Sequence, residues 1–422
     1  MEASVATQHR IVVNRRGAAR LRGGHVWVYR SDVVSVDSVR AETSPTDSET
    51  TPGSESRTDK SGAAALHGCV VGVQDELGKS LGSALYSSAS QIAVRMIADG
   101  PVNEEEWATL LRARIRTAVD FRRAVVRDSE ACRIVFGEAD LIPGLIVDRY
   151  NDLVSFQILT QAMDREDARA AVIGELVEQI SPAAIVERVD GRIRELEELP
   201  PRPSGAVYGE KTNTEFSMNS VRFHYDALSG QKTGAFLDQR ENYAAAAAYA
   251  HGEALDVFCY QGGFALHLAR VCPQVTGVDS SRAALEIADK NAALNGSEIE
   301  WIEANAFDLM KDYAAAGRQY DTIVLDPPAF AKTRRALPTA LRGYKELNLR
   351  ALKMLRPGGV LVTCSCSYHV SEAEFLEMLA AAAADAHRRV RVLEKRGQAK
   401  DHPVLLGVPE TAYLKCVIAS VL

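Results

Sequence analysis

Apolar positions along the chain change their period twice, and the changes divide it into three stretches. In the first, short β-branched or apolar runs at 11–13, 26–29, 69–73, 81–86 and 91–97 alternate with turn residues, which predicts a small, mostly β unit. The stretch 35–65 interrupts it with Ser, Thr, Asp, Glu and Pro and has almost no large apolar side chain. Such a segment buries too little surface to offset its ordering entropy, so a disordered loop is expected there. In the second stretch Trp107, Leu110, Leu111, Ile115 and Val119 recur at helical spacing after an acidic first turn. Strands are expected at 133–136, 144–149, 153–159 and 184–189, with a helix over 164–180. This α+β unit closes in the charged, proline-containing stretch 195–204. From 221 onward, strands alternate with helices expected at 238–249, 264–272, 281–294, 345–355 and 372–387, the signature of βαβ units and a parallel sheet. The runs 390–395 and 413–421 suit a closing antiparallel pair. The expectation is a multidomain chain: a small β-rich domain at 8–100, an α+β central domain at 101–210, and an α/β Rossmann-like domain with a mostly parallel sheet at 211–422.

Composition narrows the class. A length of 422 residues favours several domains, and 46% hydrophobic with 25% charged residues is ordinary for a soluble protein. No run approaches the roughly 18 apolar residues of a membrane helix, and residues 1–16 lack the apolar core of a secretory signal. Seven irregularly spaced cysteines form neither a disulfide framework nor a zinc pattern, so a reducing cytoplasm and no metal are expected. The net charge of −7 argues against indiscriminate nucleic-acid binding, yet it is unevenly spread. Before residue 31 the only acid is Glu2, set against Arg10, Arg15, Arg16, Arg20, Arg22 and Arg30. A local basic face of this kind can hold a phosphate backbone, and the solvated face of a small domain has the same composition. An exposed sheet edge could also pair with a second copy as a homodimer.

Candidate chemistry collects in the last stretch. Asp256 ends an apolar run that leads into Tyr260-Gln261-Gly262-Gly263, where a helix begins. Glycines there allow a tight turn and close approach of a ligand, but the spacing is not the dinucleotide fingerprint and no Walker lysine is present. Asp279, at the end of the next strand, can accept both ribose hydroxyls of an adenosine; a helix cap is the structural alternative. Without a pyrophosphate cradle, S-adenosylmethionine is the natural nucleoside cofactor. Asn305 after the third strand would face the adenine, or serve as a turn residue.

Asp326-Pro327-Pro328 leaves the fourth strand with two residues that lack N–H donors, so carbonyls and the Asp326 carboxylate can accept from an exocyclic amine; a plain strand stop is the alternative. Cys364 and Cys366 end the fifth strand. Carbon 5 of a pyrimidine is too weak a nucleophile to take a methyl group from a sulfonium unless a thiolate first adds to carbon 6. Core packing is the other use of such cysteines, and it suits Cys259 and Cys272. A thiol of pKa about 8.5 needs local positive charge or hydrogen bonding to favour the thiolate, for which His369 and Lys332 are the sequence candidates.

The blocks GQKTGAFLDQR (230–240), LDVFCYQGGF (255–264), LDPPAF (325–330), RGYKELN (342–348), SCS (365–367), KDHP (400–403) and YLK (413–415) resemble the ribosomal RNA large-subunit methyltransferase I family. GAARLRGGHVWVYRSDV, YSSASQIAVR and LIPGLIVDRYNDLVSFQ extend the resemblance over nearly the whole chain. It implies a PUA RNA-binding domain, a central domain and a Rossmann-like methyltransferase domain. It implies S-adenosylmethionine contacts from Thr233, Phe236, Asp238 and Arg240, with Asp256, Tyr260 and Gly262 at the methionine end, Asp279 at the ribose and Asn305 at the adenine. The implied reaction is methylation of cytosine carbon 5 in large-subunit ribosomal RNA. Cys366 is the expected nucleophile, counted from Gly358-Gly359, and Asp326 holds the base edge. RNA would be gripped by Arg15, Arg16, Arg20, Arg22 and Arg30. The proton acceptor for carbon 5 is open between Cys364 and a water. Two other readings stay open: an RNA amino- or ring-nitrogen methyltransferase whose cysteines are structural, and a ribosome-assembly factor that keeps the cofactor fold as scaffold.

Overall fold

The computed structural model describes residues 8–39, 66–228 and 235–422, which build four sheets. The first is six-stranded, in the spatial order Trp27–Tyr29, Ile92–Ala98, Ser80–Tyr86, Val70–Asp75, Gln8–Val13, Val33–Val39. It carries a helix, Arg15–Arg22, that the apolar pattern does not reveal. Asn14 starts this helix by accepting from the Gly17 N–H at 2.9 Å. The expected loop 35–65 is corrected at its start. Ser35–Val39 continues the strand Val33–Val39 and pairs antiparallel with Gln8–Val13, while Val33 and Val36 pack on this sheet's core. Residues 40–65 lie outside the described residues.

The second sheet runs Gly205–Tyr208, Ala184–Glu187, Leu153–Ile158, Leu145–Tyr150, Ala131–Phe136, backed by the helix Glu104–Val125. The helix expected over 164–180 is two pieces, Gln161–Asp164 and Glu166–Ile180, because Arg165 between them is extended. Within the charged stretch 195–204, Glu197 is buried and accepts from Ser87 Oγ (2.8 Å) and the Gln161 N–H (3.3 Å), clamping the first sheet to the second. A hairpin, Asn213–Met218 with Val221–Asp226, then bridges to the last sheet. Tyr225 stacks on Tyr150 at 3.7 Å on one side. On the other, Asn291 and Asn295 accept from the His224 and Arg222 N–H groups.

The last sheet has seven strands, numbered here by chain order: Glu253–Val257, Gln274–Asp279, Glu300–Glu303, Tyr320–Leu325, Leu355–Ser365, Val390–Arg396 and Lys415–Val421. Their spatial order is 3-2-1-4-5-7-6, with the seventh antiparallel to both neighbours. Leu255, Val257, Val278, Ile323 and Val324 are fully buried, as strands covered on both faces require. The helix before the fifth strand starts at Leu337 rather than 345, with Pro338 in its first turn, where a missing N–H costs nothing. The helix expected over 264–272 ends at Leu268. Strand order reverses between the first and fourth strands, so the carboxyl ends there open a crevice, the place where open α/β sheets bind ligands. Among the described residues no helix is long and apolar enough to cross a membrane.

Candidate active site

The first strand delivers Asp256 to the bottom of the crevice with no exposed surface. After it, Phe258, Tyr260 and Gly262 take φ of +67°, +50° and +85°. Two non-glycine residues in the left-handed region within one turn mark backbone held in shape by its surroundings. A Cβ on Gly263 would lie 2.5 Å from the Tyr243 ring, so only glycine lets the helices Gly263–Leu268 and Arg240–Tyr249 meet here. Tyr243 Oη donates to the Phe236 carbonyl (3.3 Å), and Phe236 rests on Tyr260 with ring centroids 4.9 Å apart. Residues 235–240 are thereby laid against the glycine loop. Asp256 Oδ2 accepts from the Ala265 N–H at 2.8 Å, whereas Oδ1 is buried without a hydrogen-bond partner. Burial, with Asp326 and Asp279 adding repulsion, pushes this carboxyl up to about 8 against the Ala265 bond. An orphaned carboxyl oxygen beneath a glycine loop is free to accept from a ligand donor, such as an α-ammonium.

Asp279 accepts from the Tyr260 N–H (3.0 Å) and the Ser281 N–H (2.8 Å), which fixes the carboxylate at the strand end. The helix cap is Ser281, so Asp279 is not the capping residue. Asn305 caps the helix Ala306–Ala315 through Oδ1, accepting from the Phe307 N–H at 2.9 Å, which leaves its NH2 group to donate. Thr233 lies outside the described residues.

Asp238 and Arg240 support the site from behind. Asp238 accepts from Tyr413 Oη at 2.6 Å, and Arg240, only 2% exposed, pairs with buried Asp401 at 2.9 Å. Gln239 between them is a residue the sequence reading missed. Arg396 can only donate, and gives Nε–H to Asn242 Oδ1 (2.9 Å). Asn242 therefore turns Nδ2 to Gln239 Oε1 (2.6 Å) and to the Gly397 carbonyl (3.0 Å). Gln239 in turn presents Nε2 to Asp326 Oδ1 (3.0 Å). Burial and the nearby Asp238 charge push the Asp326 carboxyl up to about 7 despite this bond. A group of that pKa can accept or donate near neutral pH.

The fifth strand ends in Ser365-Cys366-Ser367. Both serines turn inward: Ser365 Oγ donates to Tyr344 Oη (3.0 Å), and Ser367 Oγ lies 2.9 Å from the same hydroxyl and accepts from the Ala331 N–H (3.1 Å). Cys366 is left partly accessible, its Sγ 3.9 Å from the Pro327 carbonyl. Cys364 is instead fully buried opposite Cys416, and burial pushes its thiol well above the usual range. It is a core cysteine, as are Cys259 and Cys272, and it is no candidate for accepting the carbon-5 proton. A cation that acts on Cys366, missed beside the expected His369 and the exposed Lys332, is Lys415. Lys415 opposes Ser365 in the strand register, and its Nζ donates to the Ser367 (2.6 Å) and Tyr413 (2.8 Å) carbonyls. It is 9% exposed, and among the described residues no carboxylate lies within ion-pair distance of it. Burial pulls its pKa down to about 8 against the charges of Cys366 and Glu374.

Residues 146–414 match the S-adenosylmethionine-dependent methyltransferase family, and residues 11–99 match a PUA-like domain. The ribosomal RNA large subunit methyltransferase I of Shewanella denitrificans is 37% identical over 355 residues, covering 82% of this chain and 88% of that protein. The enzyme of the same name from Aeromonas hydrophila is 37% identical, covering 84% and 90%. The chain belongs to the ribosomal RNA large subunit methyltransferase I family. Its fold is also that of SMU.776, a protein complexed with SAH, with a TM-score of 0.78 at 17% identity over 97% of this chain and 99% of that one. S-adenosylmethionine is the cofactor, and the orphaned Asp256 oxygen, the glycine loop and Asp279 fit it.

In the PUA-like domain the five basic candidates differ in what they can offer a phosphate. Arg16 and Arg20 share the buried Asp32 (2.6 and 2.7 Å), and Arg22 pairs with Asp75. Arg30 donates to the Ser87 (2.8 Å) and Ser90 carbonyls. Arg15 is exposed without an ion pair among the described residues.

Proposed function

We propose that the protein methylates carbon 5 of a cytosine in large-subunit ribosomal RNA through a covalent Cys366 adduct. The observation that carries this reading is the buried, carboxylate-free ammonium of Lys415 against the Cys366 loop. Nitrogen methylation needs no thiolate, whereas addition to carbon 6 does, and a buried cation stabilises one. The names of the relatives support ribosomal RNA as substrate.

The steps follow from these residues. The target cytosine is extruded from its stack into the crevice. Asp326, with Oδ1 engaged by Gln239, meets the base edge with its other oxygen and donates when protonated. The Cys366 thiolate bonds to carbon 6, and the displaced electron pair makes carbon 5 nucleophilic. S-adenosylmethionine supplies the electrophilic methyl group. The carbon-5 proton then leaves to water, the Sγ–carbon bond breaks, and the electron pair returns to sulfur as thiolate.

Nucleoside mass spectrometry on large-subunit ribosomal RNA, protein-free and as assembled subunits, tests the reading with Cys366→Ala run in parallel. The expected result is 5-methylcytidine from the wild type and none from the variant, with cofactor affinity unchanged. Full activity of the variant would remove the covalent route, and a methylated amine or ring nitrogen as product would transfer the chemistry to Asp326.

A further inference from the structure

From Pro327 to Lys345 the chain carries Lys332, Arg334, Arg335, Arg342 and Lys345 and not one acid, in a protein of net charge −7. Lys345 is paired with Asp385 at 2.7 Å. The other four are exposed, and among the described residues none has a carboxylate within ion-pair distance. Arg342 reaches only Thr339 Oγ1, at 3.3 Å. Glu374 feels the charge of Arg334, but one of its oxygens already accepts from the Ser371 N–H (2.8 Å) and Oγ (2.6 Å). Arg16, Arg20 and Arg22, by contrast, would have to give up Asp32 or Asp75 before meeting a phosphate.

Position adds a second argument. This segment leaves Asp326 through two prolines and is fastened to the Cys366 loop where the Ala331 N–H meets Ser367 Oγ. Lys332 is the next residue after that anchor. Two residues beyond Cys366, Tyr368 is 42% exposed, its ring 5.3 Å from that of His369. The reacting thiol therefore has uncompensated cations on one flanking segment and an exposed aromatic ring on the other.

We propose that Lys332, Arg334, Arg335 and Arg342 grip the backbone of the single-stranded RNA flanking the target base, and that Tyr368 stacks a neighbouring base. The proposal rests on the RNA-methyltransferase reading above. Extruding a base leaves its neighbours unpaired. Unpaired strands are held by cations along the backbone together with aromatic rings. An uncompensated cation adds to counterion release with each phosphate it meets, which an ion-paired arginine does less readily.

The experiment measures binding of the full-length protein to a fluorescein-labelled single-stranded RNA oligonucleotide of mixed sequence by anisotropy over a KCl series. Arg334→Gln/Arg335→Gln is compared with Lys353→Gln/Arg389→Gln, an equal loss of charge at the amino edge of the sheet. The first pair should weaken binding about tenfold near 0.15 M salt and flatten the log–log salt slope by about 1.4, at about 0.7 per phosphate. Tyr368→Ala should weaken binding with the slope kept, and the control pair should match wild type. Wild-type affinity and slope in Arg334→Gln/Arg335→Gln would overturn the strip while leaving the methyltransferase reading intact. An equal fall in the control would overturn it as general charge. Failure of the wild type to bind this RNA would overturn the strip, while the methylated product on ribosomal RNA decides the methyltransferase reading separately.

Discussion

At the scale of single residues, the lysine on which the proposed chemistry rests is placed by the fold and not by the chain around it. Lys415 stands 49 residues of chain away from Cys366 and reaches the Cys366 loop because the seventh strand returns antiparallel against the fifth, placing Lys415 opposite Ser365. Nothing in the local pattern around Tyr413-Leu414-Lys415 reports that pairing, whereas Cys366, Asp326 and Asp279 were legible because each ends an apolar run. Proximity along the chain pointed to Lys332 or His369 for positive charge near the thiol, and the sheet register adds Lys415 to them. Lys415→Met should move the pH profile of Cys366 alkylation upward by about 1–3 pH units, the usual effect of removing a close opposite charge. Lys415→Arg should restore part of it. Peptide-resolved mass spectrometry of iodoacetamide labelling reads Cys366 apart from the other cysteines, and an unchanged profile in Lys415→Met would remove the lysine from thiolate stabilisation.

At the scale of elements, strand and helix periods disclosed the parallel sheet and its crossovers, because strands buried on both faces give continuous apolar runs. They missed the helix Arg15–Arg22, which buries little beyond Gly17 and Ala18. They also missed the role of 195–204, whose one deeply placed acid, Glu197, works through two distant partners. The contact of two helices over Gly263 was equally illegible, since a glycine beside a glycine does not say which of them is crowded. Gly263→Ala forces the Tyr243 ring away, and with it the bond that holds the Phe236 carbonyl. A loss of about 1–3 kcal/mol in stability is expected from overpacking of this kind. Cofactor affinity should fall as well, while Gly191→Ala, whose Cβ would meet open space at an ordinary φ, should leave that affinity alone. Isothermal titration with S-adenosylhomocysteine distinguishes the two.

At the scale of the whole molecule, the second and last sheets are joined by buried charges that no single stretch of sequence displays. Asp401 accepts from Arg240 and from the Arg133 N–H (2.8 Å), while its carbonyl takes Arg122 Nη2 (2.8 Å) and Arg122 also holds Asp140 (2.8 Å). Burial alone would raise the Asp401 carboxyl, but His402 and Arg240 override it and hold it well below the usual carboxylate range. A folded-state pKa below the unfolded one contributes stability that is complete above about pH 4 and is lost as pH falls further. Thermal melts should therefore show an acid-side loss that shrinks in Asp401→Asn, a variant also weaker by about 3 kcal/mol at neutral pH because the buried Arg240 loses its closer carboxylate and keeps only Glu241 at 3.5 Å. A melt of Asp401→Asn that tracks wild type from pH 7 to 3 would show that the pair is not what joins these sheets. The amide chain that ends on Asp326 has a corresponding reach. Its direction is written twice at the far edge of the sheet, by a guanidinium that can only give and by the Gly397 carbonyl that can only take. Neither amide can turn over without facing donor to donor or acceptor to acceptor, so what travels along it is orientation rather than charge. The sixth strand, at the far edge of the sheet, thereby decides which end of Gln239 the Asp326 carboxyl meets.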